Sequence, residues 1–105
     1  MKAKLDRDGE KDFHVTGDMT FATARKLLVE SKNLFEKSQR INLHLGRVER
    51  ADSAGLALLL EWLSQAERMG GELIIDGIPE SILAIARLCQ VDRLLETPAT
   101  ANHAE

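Results

Sequence analysis

Segments with the spacing of amphipathic helices alternate along this chain with short segments that have the character of strands. Strand-like patterns cover residues 2–8, 12–16, 41–48 and 73–76, and helical patterns cover residues 21–37, residues 54–69 and the stretch after Pro79. Strands separated by helices must be joined by crossover connections, which favour parallel pairing. The order therefore predicts an α/β fold with a mostly parallel sheet of four or five strands, the first of them at an edge.

Glycines and capping residues predict where these elements begin and end. Gly17 and Asp18 are expected to turn the chain after the second strand, and Gly46 is expected to end the regular part of the third. The side chain of Thr20 or Asp18 is expected to cap the first helix, because a short polar side chain can accept a hydrogen bond from an unpaired amide of the first turn. The two glycines at residues 70–71 should stop the second helix.

The composition is that of a single globular domain, and it argues against several kinds of partner. Of the 105 residues, 44% are apolar and 30% are charged, and 14 basic against 17 acidic residues give a net charge of −3 at pH 7. Nucleic-acid binding depends on an excess of positive charge, so it is not expected. The longest apolar run, residues 54–60, is far shorter than the roughly 20 residues that span a bilayer, so no direct membrane insertion is expected either.

The two ends of the chain and its one cysteine predict the compartment and the domain bounds. No leader with a positive charge and an apolar segment precedes the first strand, and Cys89 has no second cysteine to pair with, so we expect a reduced, cytoplasmic protein. Cys89 itself is expected in the core, on one face of the third helix. We expect residues 1–96 to form the domain and residues 97–105, which have little to bury, to form a flexible tail.

The most unusual segment is residues 48–63. Asp52 and Ser53 stand where a strand gives way to a helix, and either side chain could cap that helix. Gly55 lies inside the first helical turn, where Gly is less favourable than Ala by about 1 kcal/mol. Its presence there predicts that another part of the chain approaches the backbone closely.

The second helix is richer in apolar residues than one buried face requires. Two apolar stripes run along it, one formed by Leu56, Leu59, Leu60, Leu63 and Ala66 and the other by Ala57, Leu58, Trp62 and Met69. One stripe is enough to close a two-layer core, so the second needs a cover from this domain or from another protein. Trp is enriched at binding hot spots. The pattern alone leaves both interpretations open.

Three stretches together resemble the STAS domain, the fold of sulfate-transporter tails and of bacterial anti-sigma-factor antagonists. Residues 52–60 resemble its signature loop and helix, residues 17–21 resemble the turn after its second strand, and residues 73–88 resemble its late strand, Pro-led turn and helix. Apart from its two ends, the chain follows the family's order of elements. The continuation Leu-Ala-Leu-Leu-Leu-Glu-Trp-Leu, residues 56–63, is similar to the small STAS subunit of Mla-type ABC transporters, which move phospholipid between the membranes of Gram-negative bacteria.

The resemblance implies a non-catalytic subunit, peripheral to the inner membrane, that binds the ATPase of an ABC transporter and, through it, a permease. In that family the contact is made by the signature loop and the start of its helix, with the turn after the second strand beside them. The positions that match here are Asp18, Thr20, Asp52, Ser53, Ala54, Ala57, Leu58, Glu61 and Trp62. His44 departs from the family, because many relatives carry an acidic residue there, and this weakens any analogy with charge-based regulation.

Ser53 admits more than one role. It can be a helix cap and nothing more, part of the ATPase interface, or, as the likeness to anti-sigma-factor antagonists implies, a phosphorylation site that switches binding. A phosphate adds about −1.5 to −2 charges at pH 7, which a helix N-terminus tolerates and an apolar interface does not. A nucleophilic role is not favoured, since Ala-Asp-Ser-Ala-Gly is not a Gly-x-Ser-x-Gly elbow and no partnering base is evident, so we do not expect an enzyme.

The remaining candidates predict no metal, cofactor or lipid site. His14, His44 and His103 do not have the spacing of metal ligands, and the chain has no phosphate-binding Gly-rich loop. A domain of this size has little volume for a lipid pocket. A homodimer formed through the Trp62 stripe is a purely structural alternative for the isolated protein.

Overall fold

The computed structural model describes residues 2–35 and 40–96, and within these ranges the chain forms one sheet covered by helices. The elements in chain order are β1 (Ala3–Arg7), β2 (Asp12–Met19), α1 (Ala24–Phe35), β3 (Arg40–Ala51), α2 (Ser53–Arg68), β4 (Glu72–Asp76), α3 (Glu80–Leu88) and a 3-10 turn over Asp92–Leu95. In these ranges no helix is both long enough and apolar enough to cross a bilayer. The predicted tail, residues 97–105, lies outside the described residues.

The strands lie side by side in the order of the sequence, β1-β2-β3-β4. β2 pairs parallel with β3, and β3 pairs parallel with β4, whereas β1 pairs antiparallel with β2 at one edge. The prediction of an α/β fold with a mostly parallel sheet is therefore confirmed, with β1 making the sheet mixed. The other edge of the described sheet is β4.

The core lies on one face of this sheet. The strand register places Leu5 beside Val15, Phe13 beside Leu43 and Leu43 beside Ile75, so the buried residues of all four strands share that face. The helices complete the same cluster with the buried side chains of Leu27, Phe35, Leu56, Leu58, Leu59, Trp62, Ile82 and Ala86. α2 is the central helix, because it packs against α1 on one side and against α3 and the 3-10 turn on the other.

The predicted turn at Gly17 and Asp18 is wrong, because both residues lie within β2, which continues to Met19. Gly17 has a φ of +90°, and a Cβ atom there would lie 2.2 Å from the carbonyl oxygen of Lys2. Glycine tolerates this backbone conformation and leaves room for β1. The register between β2 and β3 also shifts next to Gly17, so this glycine marks an irregularity inside a strand.

β3 likewise continues beyond Gly46, where its regular part was predicted to end, and reaches Ala51. His14 pairs with His44 but Thr16 pairs with Arg47, so β3 contains one extra residue in this interval. A glycine inside a strand often marks such a bulge. The longer strand carries the chain directly to the Asp-Ser pair at the start of α2.

Two further boundaries differ from the sequence prediction. The first helix begins at Ala24 rather than at position 21, and position 37, its predicted end, lies outside the described residues. Cys89 is exposed rather than in the core, because α3 ends at Leu88 and Cys89 is the residue after its last turn. The bounds of α2, by contrast, agree with the prediction to within one residue at each end.

Candidate functional site

The start of α2 and the turn between β2 and α1 form one joined structure, and Asp52 joins them. One carboxylate oxygen of Asp52 accepts a hydrogen bond from the amide of Ala54 at 2.8 Å, and the other accepts one from the amide of Phe21 at 3.1 Å. The amide of Asp52 donates to the carbonyl oxygen of Met19 at 3.2 Å. Asp52 is therefore the cap of α2, and the hydroxyl of Ser53 is not needed for that role.

Gly55 is the point at which α2 touches the end of β2. A Cβ atom at Gly55 would lie 2.7 Å from the carbonyl oxygen of Met19 and 3.2 Å from the terminal methyl of Ile82. The expectation that another part of the chain approaches this glycine is confirmed. Because only glycine leaves this space, Gly55 determines how closely the turn and the helix start can approach each other.

The turn before α1 is organised by Thr23 rather than by the two residues predicted to cap the helix. The buried Thr23 hydroxyl donates to the carbonyl oxygen of Asp18 at 2.7 Å and accepts from the amide of Thr20 at 3.0 Å. The carbonyl oxygen of Thr20 accepts from the amides of Thr23 and Ala24. The predicted side-chain cap by Thr20 or Asp18 is therefore wrong, although both residues lie on this turn, near Asp52.

Phe21 is the most exposed large apolar residue of this region, with 87% of its surface accessible. The sequence pattern places Phe21 on the turn beside the signature loop, residues 17–21, but does not single it out as a site residue. Its spacing to Ala24 and Leu28 matches that of a buried helical stripe, so the sequence contains no sign that it faces outward. The helix begins only at Ala24, and the turn held by Asp52 leaves the Phe21 ring in solvent beside the start of α2.

The outer side of α2 carries small and polar side chains. Ser53 and Ala57, one turn apart, are exposed, and Ala54 and Glu61 are half-buried. These predicted site residues are accessible to a partner and lie on the same side of the molecule. A row of small side chains lets another backbone approach a helix closely.

Leu58 and Trp62 lie on the other side of this helix, inside the core, and only 4% and 1% of their surfaces are exposed. The indole Nε1 of Trp62 donates to the Ser31 hydroxyl at 2.8 Å, and the indole ring lies edge to face with Phe35 at 5.5 Å. The prediction that Leu58 and Trp62 belong to a partner-binding surface is therefore wrong. The homodimer through a Trp62 stripe loses its basis for the same reason.

The physical reason for this error is the central position of α2. A helix with one neighbouring layer needs a single apolar stripe, but α2 is covered by the sheet, by α1 and by α3. The buried members of the second stripe, Leu58 and Trp62, therefore extend the buried face formed by the first, whereas Ala57 and Met69 of the same stripe are exposed. Ser31 is the missed signal, since a serine on the buried side of α1 provides the acceptor that a buried indole N–H needs.

His14 and His44 lie on the sheet face opposite the core, well away from Ser53. The rings of His14 and His44 are 4.8 Å apart, and His44 bonds to Asp12 at 2.9 Å and to Asp76 at 2.8 Å. The hydrogen bond to Asp12, followed by that to Asp76, raises the pKa of His44 above its usual 6.5, and the bond from His44 holds the pKa of Asp12 below 3.8. In the described part of the chain, no three His, Cys, Asp or Glu side chains are grouped to hold a metal ion.

Comparison with known proteins places this geometry in a family. The sequence model described as "Mlab, STAS domain" matches residues 4–96. Two curated relatives named "Intermembrane phospholipid transport system binding protein MlaB", from Escherichia coli (strain K12) and Shigella flexneri, are each 35% identical to this chain over 46 residues. That match spans 44% of this chain and 47% of each relative, or about half of their length.

Solved structures share the fold at low sequence identity. A putative anti-sigma factor antagonist from Thermotoga maritima superimposes with a TM-score of 0.72 at 17% identity, over 97% of this chain and 92% of that one. A sulfate transporter family protein from Wolinella succinogenes gives 0.63 at 20% identity, over 81% of this chain and 70% of the other. The unphosphorylated anti-sigma factor antagonist SpoIIAA gives 0.60 at 15% identity, over 85% and 82%. With the family model matched over nearly all of the described residues and the fold shared with these proteins, the chain belongs to the MlaB-type STAS-domain family.

Proposed function

We propose that this chain is a non-catalytic STAS adaptor that binds the ATPase subunit of an ABC transporter, and through it a permease, in a system that moves phospholipid between membranes. Family membership supports this, as does the name of the curated relatives, which describes a binding protein of an intermembrane phospholipid transport system. The proposal places the chain on the cytoplasmic side of the inner membrane, where its partner holds it.

The observation that carries the proposal is the exposed ring of Phe21 beside the exposed start of α2. We define the docking face as Asp18, Thr20, Phe21, Asp52, Ser53, Ala54, Ala57 and Glu61. Aromatic side chains on a fixed backbone are typical anchors of protein interfaces, and the small residues Ser53 and Ala57 leave room for a partner helix. Phe21 thus takes the anchoring role that the sequence pattern had suggested for Trp62.

In this proposal the adaptor acts as a rigid platform, and the chemistry of ATP hydrolysis stays in the partner. Both ring nitrogens of His44 are bonded to aspartates, and from His44 to Ala51 the strand β3 extends roughly 20 Å. His44 is therefore not placed to activate the Ser53 hydroxyl as a base. Binding would favour the productive arrangement of the ATPase subunit.

Substitutions on the docking face test this proposal by co-purification with the ATPase subunit of the same transporter. Ser53→Arg and Ala57→Arg should abolish co-purification and leave the domain folded, because both positions are exposed on α2. Ala84→Arg is the matched control, an exposed alanine on α3. Leu58→Glu is unsuitable, because it would place a charge in the core.

The contribution of Phe21 can be measured separately. Phe21→Ala should weaken ATPase binding by about 2 kcal/mol, roughly thirtyfold in Kd, with little change in the free energy of unfolding. Leu88→Ala removes another exposed apolar side chain, 84% accessible at the end of α3, and should leave binding unchanged. If the Phe21 and Ser53 variants bound the ATPase as tightly as the wild type does, the assignment of the docking face as the ATPase-binding surface would be wrong.

The second candidate function is an anti-sigma-factor antagonist regulated by phosphorylation of Ser53. The exposed position of Ser53 in the first turn of α2 favours it, since a phosphate there is stabilised by the helix dipole. Incubation with ATP and a serine kinase encoded beside this gene distinguishes the two functions. Phosphate transfer to Ser53, together with phosphorylation-dependent kinase binding, would support the antagonist and contradict the transporter adaptor.

A further inference from the structure

We propose that a groove at the start of β4, at the edge that no other strand of the described residues covers, binds an extended peptide that carries apolar and basic side chains. The groove lies between the second half of α2, β4 and the 3-10 turn, and has a volume of about 510 Å³. Its apolar lining consists of Leu60, Leu63, Ala66, Leu73 and Leu94. Leu94 is 58% exposed, so the groove presents apolar surface to solvent.

The backbone beside this groove favours an extended occupant. β4 pairs with β3 on one side, and it is the last strand of the described sheet on the other. An edge strand leaves alternate N–H and C=O groups without a neighbouring strand. An extended peptide can pair with such an edge while alternate side chains enter the apolar groove.

Charge around the groove favours a basic occupant. Glu67, Glu72 and Glu96 line it and are exposed. The cation among its lining residues, Arg68, is already engaged within α2, because it donates to the Ser64 hydroxyl at 2.8 Å and lies 3.4 Å from the Glu61 carboxylate. Lysine or arginine side chains of a peptide would therefore meet an excess of negative charge.

The same charges argue against a second copy of this chain as the occupant. Two copies paired through their β4 edges would bring the carboxylates of Glu67, Glu72 and Glu96 toward those of the partner, which like-charge repulsion disfavours. The groove shares no lining residue with the docking face, whose centre at Ser53 is about 16 Å from Ser64 along α2, and among the described residues the two surfaces meet where Glu61 pairs with Arg68. The proposal therefore does not depend on the ATPase interaction.

Fluorescence anisotropy with two synthetic peptides tests the proposal on the full chain. The first is a fluorescein-labelled peptide of alternating leucine and lysine, and the second has glutamate in place of lysine. We expect the basic peptide to bind and the acidic one not to bind. The Glu67→Lys/Glu72→Lys variant should lose at least tenfold in affinity for the basic peptide, while Glu10→Lys/Glu49→Lys, with the same net charge, should keep most of it.

Two further measurements separate groove binding from general charge attraction. Leu94→Ser should weaken binding, whereas Leu88→Ser, at an exposed leucine outside the groove, should not. Two further peptides carry N-methyl groups on every second backbone nitrogen, one on the odd-numbered and one on the even-numbered residues. One of these two methylation patterns should abolish binding and the other should leave it intact, because only every second amide of the peptide faces the edge strand. The proposal would be overturned if the basic peptide did not bind, if the two charge variants lost equal affinity for it, or if the two methylation patterns had equal effects.

Discussion

Replacing Ser31 with alanine should destabilise this domain through Trp62. The indole N–H of Trp62 is buried and donates to the Ser31 hydroxyl at 2.8 Å. Alanine removes that acceptor and leaves a buried donor without its partner, which costs about 1–3 kcal/mol. The Ser31 hydroxyl in turn donates to the carbonyl oxygen of Leu28 at 2.7 Å, so the serine has a role of its own that the experiment must separate.

A double-mutant cycle with Trp62→Phe makes that separation. The phenylalanine ring removes both the N–H and part of the ring volume, at a cost on the order of 1–2 kcal/mol. In that background Ser31→Ala no longer leaves an indole N–H unpaired, so its cost should fall below about 1 kcal/mol. The two substitutions should therefore be coupled by about 1–2 kcal/mol.

The assay is urea unfolding of the wild type, both single variants and the double variant, followed by far-UV circular dichroism. Circular dichroism is needed because Trp62 is the only tryptophan of the chain and is absent from two of the four proteins. Additivity within about 0.5 kcal/mol would refute the role assigned to this hydrogen bond. In the wild type, ready quenching of Trp62 fluorescence by acrylamide would refute its place in the core.

Two other predictions concern the sheet. Gly17→Ala should destabilise the domain by about 3 kcal/mol or more, because the new Cβ would lie 2.2 Å from the Lys2 carbonyl oxygen at a φ of +90°. Gly46→Ala is the control and should cost less than about 1 kcal/mol, because no atom lies within 4 Å of the Cβ position. Similar decreases in melting temperature for the two variants would contradict this prediction. The pKa of His44 is raised in the folded state, so its charged form stabilises the fold fully below pH 6.5, and this stabilisation is lost as the pH rises through the folded-state pKa. The pKa of Asp12 is lowered, so the carboxylate stays charged and the ion pair with His44 stays intact until the pH falls below 3.8. The advantage of the wild type over His44→Gln in urea unfolding should therefore be larger at about pH 6 than at about pH 9, and a difference independent of pH would contradict it.

The order of the elements could be predicted from the sequence because each carries its own periodicity. The bounds of α2 followed from the Asp-Ser pair at its start and the two glycines after its end. The lengths of β2 and β3 could not be predicted, because Gly17 and Gly46 look like turn signals and only the pairing with neighbouring strands shows that they lie inside strands. The row of His14, His44 and Asp76 across three strands depends on the same pairing.

The candidate site was predictable only where its residues are local in sequence. Asp52 and Ser53 could be recognised from their place before an apolar helix, and the structure shows which of the two is the cap. The direction of Phe21 depends on a hydrogen bond to a residue 31 positions later, which no local pattern reveals. The partner of the buried Trp62 indole N–H is likewise distant in sequence, since it is Ser31 on a different helix.

The division of α2 into an inner and an outer side has a consequence for how such proteins diversify. Leu58 and Trp62 serve the interior and add nothing to the surface, whereas Ser53 and Ala57 serve the surface and add little to the interior. Mutation at the outer positions therefore carries little penalty in folding, and if the proposed docking face is used, it changes what the protein recognises. After gene duplication, a copy of this domain can acquire a new partner while inheriting its scaffold unchanged.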